Sequence, residues 1–176
     1  MNSRERVKRA IYFKGVDHIP HYLPDGGEND ILWLWMPCQP DRQPWTAGAD
    51  GRERRRDAWG VTWVRPLGAA NHGEKTDLPI PDITRQAEYV MPDQNQPAFF
   101  ENARQAIAAN HAAANPKYAL GVMPFSSLNE GAHNLTGLDR LFVAYYEEPE
   151  HLKALIARLA EGQRESIRRL HAIGCD

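Results

Sequence analysis

The C-terminal part of the chain carries the pattern that most restricts the fold. Apolar residues recur at helical spacing from Pro149 to Ile173, which predicts one long amphipathic helix, and Gly174 follows as a terminator. In a protein that alternates strands with helices, the next buried strand is expected directly after such a terminator. The sequence stops at Asp176. We therefore expect this chain to be the first half of a larger α/β enzyme.

Composition restricts the partners and the compartment. The net charge of -2 gives no reason to expect a nucleic acid or an anionic membrane as a partner. The longest apolar run, Ile31–Met36, is much shorter than the roughly 20 residues of a transmembrane helix. Cys38 and Cys175 are far apart and lack CxxC spacing, so no disulfide framework is expected and a cytoplasmic location is predicted.

The N-terminal half is predicted to contain one helix, short strands and much irregular structure. Ser3 is expected to cap a helix over Arg4–Lys14. The segments predicted as strands are His18–Leu23, Ile31–Met36 and Trp59–Val64. The arginine-rich run at 52–56 is interrupted by Glu53, which favours a solvated loop or helix end over a phosphate site.

The second half has the clearer pattern of alternating elements. The predicted order is a helix over Pro97–Ala114, a buried strand over Tyr118–Met123, a loop over Pro124–Leu135, a helix capped by Thr136, and the helix from Pro149. This order of elements is typical of a parallel α/β protein.

Several segments, taken in order, resemble one family. They are Ser3–Val7 leading to Val16–Pro20, then Asp57–Trp63, Pro92–Asp93, and Gly137–Leu141 leading to Tyr145–Glu150. Together they resemble the uroporphyrinogen decarboxylase superfamily, which also holds corrinoid-dependent methyltransferases and O-demethylases. The likeness spans nearly all of this chain but only the N-terminal half of the family domain.

The resemblance implies a partial TIM (β/α)8 barrel. A complete barrel takes roughly 250 residues, so this chain would supply about the first three or four βα units. Residues 1–96 would form an irregular extension and the first strands, and residues 97–176 would form regular βα units.

Two departures favour the methyltransferase-like branch of this family. Tyr22–Asp25 resembles a decarboxylase segment that has arginine just before it, but this chain has no arginine at that place. Guanidinium groups are the natural partners of a porphyrinogen's carboxylates, so their absence counts against decarboxylation. The loop at 124–130 also lacks the tyrosine of the decarboxylases. The favoured branch implies a corrinoid protein as partner and a zinc ion held by a His and two Cys in the C-terminal half. No cofactor is therefore expected on this chain alone.

The barrel geometry suggests a first group of site residues. Active sites of TIM barrels lie at the carboxyl ends of the strands. The loop after the predicted strand at 18–23 contains Asp25 and Glu28, which we take as candidate substrate-binding residues together with His21 on the strand itself. The alternatives are a solvated turn for the loop and a hydrogen-bonded core position for His21.

The loop after the strand at 118–123 holds the second group. Ser126 and Asn129 are candidate substrate-binding residues, and Glu130 and His133 are candidate catalytic residues. A Glu and a His three positions apart can share a proton or grip a ligand together. The alternative is a polar turn in which Asn129 satisfies backbone groups and Glu130 faces water.

Three functions remain open at this point. The first is corrinoid-linked methyl transfer from a small-molecule substrate to a thiol or similar acceptor, carried out by the full-length enzyme. The second is decarboxylation of a porphyrinogen, a lyase reaction. The third is a truncated, non-catalytic half-barrel or binding module, which would self-associate through its open sheet edge. In each case the 176-residue chain alone is expected to be inactive.

Overall fold

The computed structural model describes residues 1–23, 28–35, 44–122 and 128–176, and it has a mixed α/β fold. The chain divides into two compact units. Unit 1 contains Met1–Pro37, Asn95–Met123 and Glu165–Asp176, and unit 2 contains Cys38–Gln94 and Pro124–Arg164. Each unit therefore combines segments from before and after residue 97, where the sequence pattern changes.

Unit 1 is built on a pair of parallel strands. Strand β1 (Ile31–Trp35) pairs with β6 (Tyr118–Val122), in a register that runs from Ile31 opposite Tyr118 to Trp35 opposite Val122. Helix α2 (Pro97–Ala112) packs against this pair through Ala103 and Ile107. The predictions of both strands and of this helix are confirmed. Parallel neighbours need a long crossover between them, which the intervening residues supply.

Helix α1 (Ser3–Ile11) begins unit 1 and is capped one residue earlier than predicted. The Asn2 side chain accepts a hydrogen bond from the Glu5 amide at 2.8 Å. Asparagine is as good an N-cap as serine, and its position here leaves Ser3 inside the helix, where it is buried.

The predicted strand at His18–Leu23 is wrong: these residues form neither strand nor helix. The Asp30 amide donates to the His21 carbonyl at 3.0 Å, and the Asp30 carbonyl accepts from the Tyr118 amide at 2.9 Å. His21 therefore lies at the amino end of β1. Glu28 precedes β1 instead of following a strand, so the reason for placing it at a carboxyl end does not hold, and Asp25 lies outside the described residues.

Unit 2 contains an antiparallel sheet in the order β2-β3-β4-β5. Its strands are β2 (Thr46–Ala47), β3 (Arg52–Arg56), β4 (Thr62–Pro66) and β5 (Glu74–Asp77). The prediction of a solvated loop or helix end at 52–56 is wrong. The segment is a strand because its alternation turns Glu53 inward, where it pairs with Arg65, and leaves Arg52 and Arg54 exposed.

The helices of unit 2 pack beside a second core. Helix α3 (Leu128–Thr136) lies where a loop was predicted, and α4 (Leu138–Glu147) follows it. Thr136 is the last residue of α3 and not the cap of the next helix, since Gly137, with φ of 91°, holds the cap position. Helix α5 (Pro149–Ala172) belongs to unit 2 up to Arg164 and to unit 1 from Glu165. This helix and the terminating Gly174, with φ of 95°, confirm the prediction for the C-terminal helix. The fully buried side chains of this core include Trp59, Val61, Leu135, Leu141, Leu155 and Leu159.

The mixed α/β class is thus confirmed. In the ranges that the structure describes, the strands form a two-stranded parallel sheet and a four-stranded antiparallel sheet, and neither closes into a barrel.

Replacing Leu135 tests the core of unit 2. Leu135 is fully buried, whereas Leu138, three residues later, is 48% exposed. We expect Leu135→Ala to lower the free energy of unfolding by about 3 kcal/mol, because it leaves a cavity among packed side chains. Leu138→Ala is the matched control and should cost no more than about 0.5 kcal/mol. Chemical denaturation followed by tryptophan fluorescence measures both, and equal losses would contradict the assigned core.

Candidate functional site

The two predicted catalytic residues lie together on α3 in unit 2. Glu130 and His133 are one helical turn apart, so their side chains share a face, and both are half-buried. The predicted loop over Pro124–Leu135 is wrong from Leu128 onward. Glu130 and His133 are therefore three positions apart on a helix, which fixes their side chains more firmly than a loop would.

Lys75 completes this cluster from strand β5. Its Nζ atom lies 2.5 Å from Asn134 Oδ1 and 3.2 Å from His133 Nε2. An ammonium group only donates hydrogen bonds, so His133 Nε2 must be the acceptor and the ring proton must sit on Nδ1. We call Lys75, His133, Asn134 and Glu130 the Lys75 cluster.

The β4–β5 hairpin positions Lys75. Gly73 adopts a φ of 83°, and a Cβ there would approach the Val64 carbonyl oxygen to 2.6 Å, so only glycine fits this turn. The turn sets Lys75 opposite Trp63 across the two strands, next to a register shift at Thr62 and Trp63. Such irregularities re-aim the side chains beside them.

The Trp63 ring lies beside the Lys75 cluster. Lys75 Nζ lies 5.6 Å from the centroid of its ring, which is cation–π distance. The Trp63 indole N–H donates to Asp57 Oδ2 at 2.8 Å, while Asp57 Oδ1 accepts from the amides of Trp59 and Val61 at 2.9 and 3.0 Å. Asp57 therefore organises the turn before β4 and fixes the Trp63 ring.

Burial sets the protonation states in the Lys75 cluster. It lowers the pKa of Lys75, against the opposing negative charges of Glu130 and Asp57. Burial also lowers the pKa of His133, and the positive charge of Lys75 lowers it further, with Glu130 acting in the opposite direction. The cluster thus sets a more acidic ammonium group against an imidazole that is harder to protonate. That set can bind an anionic or polar group and can move a proton.

The other predicted site residues lie elsewhere. Asn129 is exposed on α3 and accepts from the Tyr145 hydroxyl at 3.1 Å. His21 and the exposed Glu28 belong to unit 1. Asp25 and Ser126 lie outside the described residues. The structure therefore brings Glu130 and His133 together and adds to them Lys75, which sequence reasoning missed.

Comparisons with known proteins do not bear on this site, since no family model, curated protein or solved structure matches the chain. Within the described ranges, no helix is both long enough and apolar enough to cross a bilayer. The family resemblance remains a prediction from the sequence, and the Lys75 cluster stands on its own geometry.

Removing the charge of Lys75 should change the titration of His133. We expect Lys75→Met to raise the pKa of His133 toward its ordinary value of 6.5, because one of the two causes that depress it is gone. NMR titration of the imidazole Cε1–H signal measures this pKa. Lys153→Met is the matched control, since Lys153 is 71% exposed and pairs with Glu150. An unchanged His133 pKa in Lys75→Met, or an equal rise in the control, would contradict the assigned pair.

His133 should also make stability depend on pH. Its folded pKa lies below 6.5, so between these two values the unfolded chain binds a proton that the folded chain does not. The wild type should therefore lose stability relative to His133→Gln as the pH falls from about 7.5 to about 5. Urea denaturation of both proteins across this range gives the difference, and a difference that stays constant or grows in favour of the wild type would refute it.

Proposed function

We propose that this chain is the N-terminal part of a uroporphyrinogen decarboxylase-superfamily barrel of the methyltransferase-like branch, and that the Lys75 cluster binds its small methyl donor. The order of the resembling segments, from Ser3–Val7 to Tyr145–Glu150, supports the family. The observation that carries the assignment of a site is the half-buried Lys75 ammonium that donates to the neutral His133.

The chemistry of demethylation explains why such a pair is useful. When a methyl group leaves an ether oxygen, that oxygen must gain a proton. The Lys75 ammonium is a donor for this oxygen, and its lowered pKa makes it a stronger acid than an exposed lysine. The Lys75 amine left behind regains its proton from solvent, and His133 Nε2, which carries no proton, holds the ammonium in place as an acceptor. A partner corrinoid protein would supply the acceptor of the methyl group.

The arrangement of unit 1 supports a partial barrel. The strands β1 and β6 are parallel neighbours, as all adjacent strands of a TIM barrel are. After α5, the Asp176 amide donates to the Ala119 carbonyl at 3.0 Å, and the Ala119 amide donates to Asp176 Oδ2 at 3.1 Å. The chain thus returns to the edge of β6 after a helix, which is how a βα barrel adds its next strand.

The zinc site that the family resemblance implies, with one His and two Cys ligands, does not fit Cys175. That site would need its cysteines as thiolates. The Cys175 thiol instead donates to the Ala119 carbonyl at 3.1 Å, and burial raises the pKa of this thiol. We therefore assign no step of the reaction to a metal held by Cys175.

Binding of a methoxylated benzoate tests the proposal. We expect the 176-residue protein to bind it saturably in calorimetry, and Lys75→Met and His133→Gln to weaken that binding by about tenfold each, as loss of a charge-assisted hydrogen bond does. Lys153→Met should bind like the wild type.

The remaining outcomes contradict the proposal. Binding of a polycarboxylated tetrapyrrole in place of the methoxybenzoate would favour the decarboxylase. A protein that binds neither compound and forms oligomers in light scattering would favour a non-catalytic half-barrel that associates through its sheet edge. If Lys75→Met and His133→Gln both bind methoxybenzoate as tightly as the wild type, the methyl-donor site lies elsewhere.

A further inference from the structure

Unit 1 gathers two histidines and a carboxylate that the proposed function does not use. One ring nitrogen each from His18 and His21 and one oxygen of Asp30 all lie within 4.8 Å of one another. His21 Nδ1 is 3.7 Å from Asp30 Oδ2, and the two imidazole rings have centroids 5.8 Å apart at an angle of 37°. These are three of the donor types that bind transition metals.

Asp30 is the fixed member of this group. Its side chain is only 3% exposed, and Arg6 Nη1 donates to its Oδ1 atom at 2.5 Å. The His21 amide donates to its Oδ2 atom at 3.0 Å, and the Asp30 backbone bonds both to His21 and to Tyr118 of β6. A ligand carboxylate oriented by hydrogen bonds on its other oxygen is the usual arrangement around protein metals.

Arg6 holds two carboxylates in place, since its Nε donates to Asp17 Oδ1 at 2.7 Å while its Nη1 binds Asp30. The N-terminal ammonium lies 4.0 Å from Asp17 Oδ2, so two positive and two negative groups balance here. A divalent cation between Asp30 and the histidines would find three ligands in place.

The distance between His21 and Asp30 is close to that of two ligands on one metal ion. The 3.7 Å between His21 Nδ1 and Asp30 Oδ2 is longer than a hydrogen bond. Two ligands on one tetrahedral zinc, each about 2.0–2.1 Å from the ion, stand about 3.4 Å apart. A movement of a few tenths of an ångström therefore brings this pair into ligand geometry, and His18, which is 51% exposed, can rotate to join it.

We propose that His18, His21 and Asp30 form a binding site for a divalent first-row transition-metal ion such as zinc. Two imidazole nitrogens and one carboxylate oxygen suit zinc and cobalt, whereas magnesium and calcium prefer oxygen ligands throughout. Both histidines are partly exposed, so water reaches the site and fills the remaining coordination positions. This ligand set differs from the His and two Cys implied by the family resemblance.

A cobalt titration tests this site directly. The tag-free 176-residue chain, first stripped with a chelator, is titrated with Co²⁺ and followed by visible absorption, and Zn²⁺ binding is measured by calorimetry. We expect one equivalent of metal per chain, and we expect His18→Gln and His21→Gln each to weaken binding at least about tenfold. His72→Gln is the matched control, because His72 is exposed and lies in unit 2.

The variants keep the proposal open to refutation. Asp30→Asn would remove a buried partner of Arg6, so a loss of metal binding in this variant is interpreted only together with the result for His18→Gln. The His18 side chain is exposed, so its replacement leaves the fold intact. Metal binding that is unchanged in both histidine variants would overturn the site. So would an equal loss in His72→Gln, or the lack of any saturable binding by the wild type.

Discussion

The proposed chemistry depends on one interaction, the hydrogen bond of the Lys75 ammonium to His133 and Asn134. Withdrawing an ammonium from water is costly unless its protons find acceptors. Here Asn134 Oδ1 and His133 Nε2 supply them, at 2.5 and 3.2 Å. Because His133 Nε2 accepts from the ammonium, the ring proton sits on Nδ1, and the positive charge of Lys75 lowers the pKa of the imidazole. The site thus holds an acid and a base in contact.

The two units use buried charge in different ways. In unit 2, Lys75 faces a neutral partner, so its proton can move. In unit 1, Arg6 joins Asp17 and Asp30 in a network in which the cation cannot give up its proton. That difference explains why we assign proton chemistry to the first cluster and metal binding to the second. A fixed carboxylate is a good ligand, whereas a labile proton is needed for catalysis.

The runs and spacing of apolar residues predicted helices α2 and α5 and strands β1 and β6. Strand β3 could not be recognised in the same way, since its arginines suggest solvent, and only pairing with β4 turns Glu53 inward. Helix α3 was missed because its asparagines and glycine favour turns, while the burial of Leu135 holds it helical.

The sequence predicted only the members of the Lys75 cluster that are close to one another in the chain. Glu130 and His133 are close in sequence, so their chemistry could be inferred from spacing. Lys75 is 58 positions from His133, and Asp30 joins the two histidines only because the chain folds back beside β1. No local pattern encodes such contacts, which arise from the pairing of β4 with β5 and of β1 with β6.

The tautomer of His133 is the most direct test of this account. Nitrogen-15 NMR of the imidazole at neutral pH distinguishes a protonated Nδ1 from a protonated Nε2. The account predicts a neutral ring with its proton on Nδ1, because Nε2 accepts from Lys75. A ring protonated on Nε2, or on both nitrogens, would show that Lys75 does not donate to it and would contradict the central claim.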